Sequence, residues 1–450
     1  MPNKKFQSSF KHPNFILDDK LSKKKSREEL KPENKANARN SIMSWAVFIP
    51  TVIVLILCLS FTIFPALITR SFSPVQGLVT SQDYVNPFEP GILAAPLIIV
   101  NLIVLGIGIL YYKKKIPVLT RIIHSISNFE LSKRKAMIAV IVLIAIFIGL
   151  TAGTLEKEET WVDYKDVKER VQGWDITTFI FGKTFEPHIR YLLLSISLKD
   201  FGNIRIIPFL ASVALLVLTY FFTKNITQKR FAGLVSMGLL LQSQIFLGYS
   251  TTASYDNIWI LMYLFSLYLI QKFWPPSPVS FILSIFSKAL TVAFLPMTLY
   301  FIARSTISKK SKIISLASYG IITIAMIAAI SVIKGSTTDM VSFNGTQFWQ
   351  GFSAMAMQMR FDYIIVLFLL PLIVMLFFAS RKGVLHADSI MIFILVILLT
   401  APLLLSLTTQ TNQPYRFVLL SVFFAIGVGI LLSKRTREQN KLLPSTQKPI

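Results

Sequence analysis

The sequence is poor in the residues that build disulfides and metal clusters. Its 450 residues include one cysteine, Cys58, and four histidines. A single cysteine excludes a disulfide within the chain, and four scattered histidines argue against a zinc or haem cluster. The sequence also contains no GxxxxGK[ST] phosphate loop, no HExxH and no GxSxG. ATPase, zinc-protease and serine-hydrolase chemistry therefore have no sequence support.

Negative charge is scarce as well, with 22 acidic residues against 46 basic ones and a formal net charge of +24. Only 15% of the residues are charged, 53% are hydrophobic, and the mean hydropathy is +0.61. Many windows of about 20 residues carry no charge, and that length crosses a bilayer. The composition predicts an all-α, polytopic integral membrane protein, because backbone groups in lipid need partners within their own helix. The basic residues then mark the cytoplasmic side, and no nucleic-acid partner is expected.

Hydropathy predicts about eleven membrane segments. Their bounds are 44–68, 92–112, 136–153, 206–222, 231–248, 257–270, 279–302, 313–333, 363–378, 389–406 and 417–432. They divide the chain into a disordered basic tail (1–40), two helices with a basic loop (41–135), a transmembrane core (136–433) and a second basic tail (434–450). Since the basic loops fall on one side, both termini are predicted to be cytoplasmic in a multi-pass protein of the cell membrane.

The longest polar insertion, residues 154–202, is predicted to lie outside the membrane. Its acids Glu158, Glu159 and Asp163 come shortly after an uncharged span. A carboxylate there could take a proton from an acceptor hydroxyl or hold a divalent cation that balances phosphates. The alternative is that VDYKDVKERV is an interfacial amphipathic helix whose charges face water.

The segment 279–302 poses a topological problem. If it crosses once, the basic stretches 303–312, 381–383 and 434–441 all fall outside, against the positive-inside rule. A re-entrant hairpin that turns near Ser287–Lys288 returns all three to the cytoplasm. Non-helical backbone at that depth must line a protein-buried or watered cavity. The alternative is a single span that departs from a statistical rule.

Several further charged residues lie at the external face in this topology, and charges at the edge of a span are functional candidates. One is Asp256, and the others, predicted to bind the substrate or a lipid phosphate, are Glu186, His188, Arg190, Lys288 and Arg416. Asp256 could instead cap a helix N-terminus. Lys288 suits an anionic lipid phosphate or snorkels to the interface, and Arg416 suits phosphate or caps the surface.

Several short sequence motifs follow one another along the chain in a recognisable order. EETWVDY follows a span, EPHIRYLLLSISLKDFG comes about thirty residues later, and TKNITQKRFAG forms a short basic loop. STTASYD ends an external turn, FSKALTVAFLP places Ser-Lys before an apolar run, and PYRF opens the last span. In this order and spacing they resemble the GT-C glycosyltransferases of the protein O-mannosyltransferase and lipid A aminoarabinose transferase superfamily.

The resemblance implies a GT-C-like core and an inverting, mannosyltransferase-like reaction. A sugar would pass from a polyprenyl-phosphate donor to a protein, lipid or glycan acceptor at the external membrane face. An acid of the first external loop would be the base, and Asp256 would assist it or bind Mg²⁺ or Mn²⁺. Lys288 and Arg416 would hold the lipid phosphate. The family has Asp where this chain has Glu158, so Asp163 is an alternative base.

Two other functions stay open at this point. A transporter or lipid flippase would also use a broken helix and intramembrane charges, although no inverted repeat is evident and the acids cluster in a loop. A catalytically inactive GT-C-like subunit of a membrane complex is the third reading, because Glu158 departs from the family pattern.

Overall fold

The structure is a computed structural model. It describes residues 42–67, 86, 88–113, 115–161, 163–174, 188–332, 342–408 and 414–433. Helices joined by short turns make up this part of the chain, and it contains no β-strand. The predicted all-α class is confirmed there. The two predicted tails, 1–40 and 434–450, lie outside the described residues.

Seven helices of the described ranges are long and apolar enough to cross a membrane. They are α1 (Ile42–Ile63), α2 (Ala94–Tyr112), α4 (Lys133–Thr151), α7 (Ile206–Thr227), α15 (Tyr363–Arg381), α16 (Ala387–Leu407) and α17 (Val418–Leu431), which follows a 3-10 turn at Pro414–Phe417. This architecture is that of a polytopic membrane protein.

Ten other helices complete the described fold. They are α3 (Pro117–Asn128), α5 (Tyr164–Gln172), α6 (His188–Phe201), α8 (Arg230–Gln242), α9 (Gln244–Gly248), α10 (Ile258–Lys272), α11 (Ser277–Ser287), α12 (Leu295–Arg304), α13 (Lys309–Val332) and α14 (Gly345–Met359). Four of them, α3, α5, α6 and α14, lie in stretches that hydropathy assigned to connections outside the membrane segments. The predicted segment 231–248 is divided at Ser243, which is extended and accepts a hydrogen bond from the Phe246 amide (3.3 Å) as the cap of α9.

Helix α17 forms the centre of the bundle. Of its most apolar window, 83% is buried, whereas the corresponding figure for α2 and α4 is 17%. Residues from Val418 to Gly427 are all buried, and α17 packs against α7, α8, α15 and α16. All three helices are apolar, and α2 and α4 have the more hydrophobic windows, so hydropathy does not separate them. The packing contacts therefore place α17 inside the bundle, with α2 and α4 at the periphery.

Helices α11 and α12 form a hairpin whose two ends lie at the same end of the bundle. Gln271, before the hairpin, contacts the His386 imidazole (Nε2 to Nε2, 2.7 Å), and the Phe301 ring, near its end, stacks on that imidazole at 4.4 Å. Between the arms, Lys288 is extended (φ −155°, ψ 115°) and a 3-10 turn covers Ala289–Phe294. The helix break predicted at Ser287–Lys288 is confirmed. The tip of the hairpin, at Lys288, contacts Tyr415 at the opposite end of the bundle from His386.

Helix α14 packs on α16 at a glycine with no room for a side chain. A Cβ on Gly351 would lie 2.2 Å from the Cα of Pro402 and 2.9 Å from the carbonyl carbon of Ala401. Both atoms are backbone, so the helices would have to separate. The close approach explains why this position is glycine.

Replacing Gly351 with alanine is expected to destabilise the protein by about 1–3 kcal/mol, the usual cost of overpacking. Gly238 in α8 is the matched control, because a Cβ there meets nothing within 4 Å. Gly238→Ala should keep or slightly raise stability through better helix propensity. Thermal unfolding in detergent, followed by tryptophan fluorescence, measures both. Equal midpoints for the two variants would contradict the packing described here.

Candidate functional site

One end of the bundle carries the predicted acids, and we call it the site end. It is formed by the end of α4, helices α5 and α6, the turn 249–257, the tip of the hairpin and the 3-10 turn at Pro414–Phe417. The opposite end carries basic residues of the helix connections, and we call it the basic end. Its positions include Arg230, Lys272 and Arg304.

Helices α5 and α6 form a small second core at the site end. Tyr164, Val167 and Val171 are buried at helical spacing on one face of α5, and they cluster with Tyr191 and Leu194 of α6. The stretch VDYKDVKERV therefore contains a helix, as the amphipathic-helix alternative predicts. Its apolar face, however, packs against α6 of the same chain. This packing fixes the position of Asp163, which precedes α5.

Arg205 ties the end of α4 to the turn 249–257. It is 6% exposed. Its Nε donates to the Thr251 carbonyl (2.6 Å), its Nη1 donates to the carbonyls of Thr154 (2.7 Å) and Lys157, and its Nη2 donates to the Thr251 hydroxyl (3.0 Å). A buried guanidinium that makes this many hydrogen bonds holds the two segments firmly together.

Glu159 holds the same turn from the other side. Its carboxylate accepts from the backbone amides of Ala253 (Oε2, 2.8 Å) and Ser254 (Oε1, 3.1 Å), and the residue is 8% exposed. Both oxygens are engaged by the chain itself. Its neighbour Glu158 is different: the side chain is 76% exposed and lies 3.9 Å from the Lys168 ammonium.

Asp256 forms a buried ion pair with Arg190. Arg190 Nε lies 2.7 Å from Asp256 Oδ2, and the two side chains are 15% and 4% exposed. The other oxygen, Oδ1, accepts from the Ile258 amide at 3.0 Å, which is the capping arrangement weighed for Asp256. Arg190 also donates to the carbonyls of Ala253 (2.8 Å) and Ser254. The Arg190–Asp256 pair therefore holds the turn 249–257 in place.

Four aromatic rings meet above this turn. Tyr255 stacks on Tyr415 with ring centroids 4.6 Å apart, and Trp161 stacks on Tyr249 at 5.3 Å. Trp161 also meets Tyr255 edge to face at 5.4 Å. The stacked pair has a charged group at each end. The Tyr255 hydroxyl donates to Asp163 Oδ2 (2.6 Å), while the Lys288 ammonium donates to the Tyr415 hydroxyl and lies 4.0 Å from its ring centroid.

The row Asp163–Tyr255–Tyr415–Lys288 therefore runs from a carboxylate to a cation. Arg416 lies at the cationic end, where its Nε is 3.3 Å from the Tyr415 hydroxyl. No carboxylate of the described residues pairs with Lys288, so an anion would complement the charge of its ammonium.

The tyrosines of the turn keep their protons. Burial, followed by the nearby Tyr415, raises the pKa of Tyr249 to about 12. Burial, followed by the hydrogen bond to Asp163, raises the pKa of Tyr255. Tyr255 therefore remains a neutral hydroxyl near pH 7 and donates its hydrogen bond to Asp163 Oδ2.

The donor set gives a divalent cation poor support here. Both oxygens of Asp256 are engaged by Arg190 and the Ile258 amide, and both oxygens of Glu159 are engaged by backbone amides. No cluster of three or more metal-ligating side chains occurs among the described residues. We therefore assign no step to Mg²⁺ or Mn²⁺.

The structure brings most of the predicted site residues to one end of the bundle. Glu159, Arg190 and Asp256 lie around the turn 249–257, Asp163 and Lys288 lie at the two ends of the aromatic row, and Arg416 lies beside Lys288. The Glu158 side chain is exposed and lies beside the Lys168 ammonium instead. Glu186 is outside the described residues, as is the side chain of His188.

Sequence reasoning missed Arg205 and the rings of Trp161, Tyr249 and Tyr255. Arg205 is the one charge between Asp200 and Lys224 and directly precedes a span. The argument that singled out Asp256, a costly charge at a span edge, applies equally to it. The rings gave no such signal, because aromatic residues at membrane interfaces are common.

Searches against protein-family models, curated proteins and solved structures find no match for this chain.

Proposed function

We propose that the protein is a membrane glycosyltransferase that moves a sugar from a polyprenyl-phosphate donor to a hydroxyl of a protein, lipid or glycan acceptor. One observation carries the proposal: the row Asp163–Tyr255–Tyr415–Lys288 has a carboxylate at one end of two stacked rings and, at the other, a cation that pairs with no carboxylate of the described residues. Sugar transfer from a phosphate needs a base for the acceptor and a cation for the leaving group.

Asp163 is the best-placed base among the four predicted acids. Glu159 and Asp256 are buried and engaged by the turn that they hold. Glu158 is exposed beside Lys168. Asp163 is exposed and borders the aromatic row, where Tyr255 orients its carboxylate. A base needs access to the acceptor as well as orientation, and Asp163 has both.

The reaction then follows in one step with balanced charges. Asp163 takes the acceptor's hydroxyl proton while the acceptor oxygen forms a bond to the sugar's anomeric carbon. The bond from that carbon to the phosphate oxygen breaks, and its electron pair leaves with the polyprenyl phosphate. Lys288 and Arg416 stabilise the phosphate charge that develops. Attack opposite the leaving group inverts the anomeric carbon.

The membrane arrangement of the proposal is that of a GT-C-like core with about eleven membrane segments. The site end faces outside, and the basic end and both termini face the cytoplasm, as the positive-inside rule predicts. The hairpin tip then reaches from the cytoplasmic side to the donor's phosphate. A polyprenyl chain stays in the surrounding lipid while its headgroup enters the site.

The hairpin of α11 and α12 also favours a second function. A lipid flippase or transporter places broken helices and charges along a substrate path, and Lys288 at the tip of the hairpin fits such a path. An inactive subunit of a membrane complex is the third reading. The carboxylate of Asp163 favours the transferase over the flippase, because a flippase needs no base.

Replacing Lys288 with glutamine tests the site and the function together. Purified wild type should release sugar from a radiolabelled polyprenyl-phosphate sugar when an acceptor is present. Lys288→Gln should raise the donor KM about 10- to 100-fold, because a charge-assisted bond to phosphate is lost. Lys168→Gln, which removes a partly exposed lysine of α5, is the control and should leave KM unchanged. Lack of turnover with every donor by wild-type protein would refute the transferase, and headgroup-labelled lipid moving across vesicles would then support the flippase.

A further inference from the structure

Helix α3 at the basic end leaves an apolar face uncovered. None of its residues is buried. Val118, Ile122 and Ile126 recur at every fourth position and are 64%, 51% and 46% exposed. At 12 residues, α3 is about 18 Å long, which is too short to cross a hydrocarbon core of about 30 Å. Its apolar stripe must therefore be covered by something other than a membrane crossing.

The orientation of α3 is fixed at its C-terminal end. The Lys229 ammonium donates to the Ser127 carbonyl, and the Arg230 amide donates to Glu130 Oε1 at 3.0 Å. The Phe129 ring meets the Phe231 ring edge to face, with centroids 4.9 Å apart. These contacts hold α3 against the start of α8, so its apolar face has a defined direction.

A cationic cleft opens where α3 ends. It is lined by Glu130, Lys224, Gln228, Lys229 and Arg230. The charges that act on Lys224 are those of Arg230, Lys272 and Lys133, with one carboxylate, Glu130, on the opposite side of the balance. Glu130 already lies 3.7 Å from Arg230. The cleft therefore holds an excess of positive charge, which a bound anion would neutralise.

We propose that this cleft and α3 together bind an anionic phospholipid. Its phosphate lies between Lys224 and Arg230, and its acyl chains cover Val118, Ile122 and Ile126. Apolar side chains on one face beside a basic patch are what an in-plane helix on an anionic membrane requires. The connection 113–135 has seven basic residues and one acidic residue, which favours this surface over a neutral protein partner.

Spin labels measure where the face of α3 lies. On a Cys58→Ala background, which removes the one native cysteine, labels at Ile122→Cys and His124→Cys sample opposite faces of α3. In vesicles of phosphatidylcholine and phosphatidylglycerol, the Ile122 label should be accessible to oxygen and shielded from a water-soluble nickel chelate. The His124 label should show the reverse. Equal nickel accessibility of both labels would overturn the membrane placement. Shielding of Ile122 from both reagents would show a protein partner instead and would equally refute the proposal.

Lipid retention tests the cleft. Native mass spectrometry of the detergent-extracted full chain should find bound phosphatidylglycerol in preference to phosphatidylcholine. Lys224→Gln should weaken that binding about fivefold, the factor that one basic residue contributes beside an anionic surface. Lys310→Gln, an exposed lysine at the start of α13, is the matched control. Displacement of the lipid by inorganic phosphate, or equal retention of the two lipids by wild type, would overturn the assignment.

Discussion

Replacing Asp163 with asparagine is expected to lower sugar transfer by about 10²- to 10⁴-fold, the contribution of a positioned general base. The substitution keeps the shape of the side chain and an oxygen that can accept from the Tyr255 hydroxyl, now 2.6 Å from Oδ2. It removes the negative charge and the ability to take a proton. Donor binding depends on the other end of the row, so the donor KM should stay within a small factor. A steady-state assay that separates kcat from KM measures this.

The neighbouring acids provide the controls for Asp163. Glu158→Gln removes an exposed carboxylate and should change kcat little. Glu159→Gln leaves one amide of the turn facing an NH₂ group, because Gln offers one acceptor oxygen where Glu offers two. It should lower the unfolding midpoint together with activity. If Glu158→Gln abolished turnover while Asp163→Asn did not, the base would be Glu158, as the family pattern implies.

The two acids Glu158 and Glu159 show where sequence reasoning stops. They are identical in chemistry and adjacent, and no local property of the sequence indicates that one is buried and the other exposed. Their difference arises from residues 253 and 254, whose amides point at Glu159. That contact spans more than ninety positions and depends on Arg205 and Arg190 shaping the turn. A local pattern holds no information about such a contact.

The hairpin is a feature of the fold that could be predicted from the sequence. Its break followed from counting basic residues on each side of the membrane and from the shortness of 279–302. Both are one-dimensional properties, and the structure breaks the helix at Lys288. Helix α14 was missed for the opposite reason. Its sequence mixes polar and apolar residues, and its burial comes from contact with α16 through Gly351, which hydropathy does not detect.

Breaking the Arg190–Asp256 pair is expected to have the largest effect on stability. The Asp256 side chain is buried, Arg190 is only 15% exposed, and their charged atoms lie 2.7 Å apart. Removing one partner of a buried pair leaves the other charge uncompensated, which costs about 3–5 kcal/mol. Asp256→Asn and Arg190→Met should each cost close to that amount in unfolding by SDS titration. Asp200→Asn, which alters an acid near the end of α6 away from this pair, should cost little.

The double variant Arg190→Met with Asp256→Asn decides what Asp256 does. If the pair acts only on the turn, the double variant should be less destabilised than the sum of the two single variants, because neither charge is left alone. Sugar transfer should then recover with stability, since Tyr255 regains its place on Tyr415. If Asp256 takes part in the chemistry, as the GT-C resemblance implies, stability would recover and kcat would not. A recovery of both assigns Asp256 to positioning and supports Asp163 as the base.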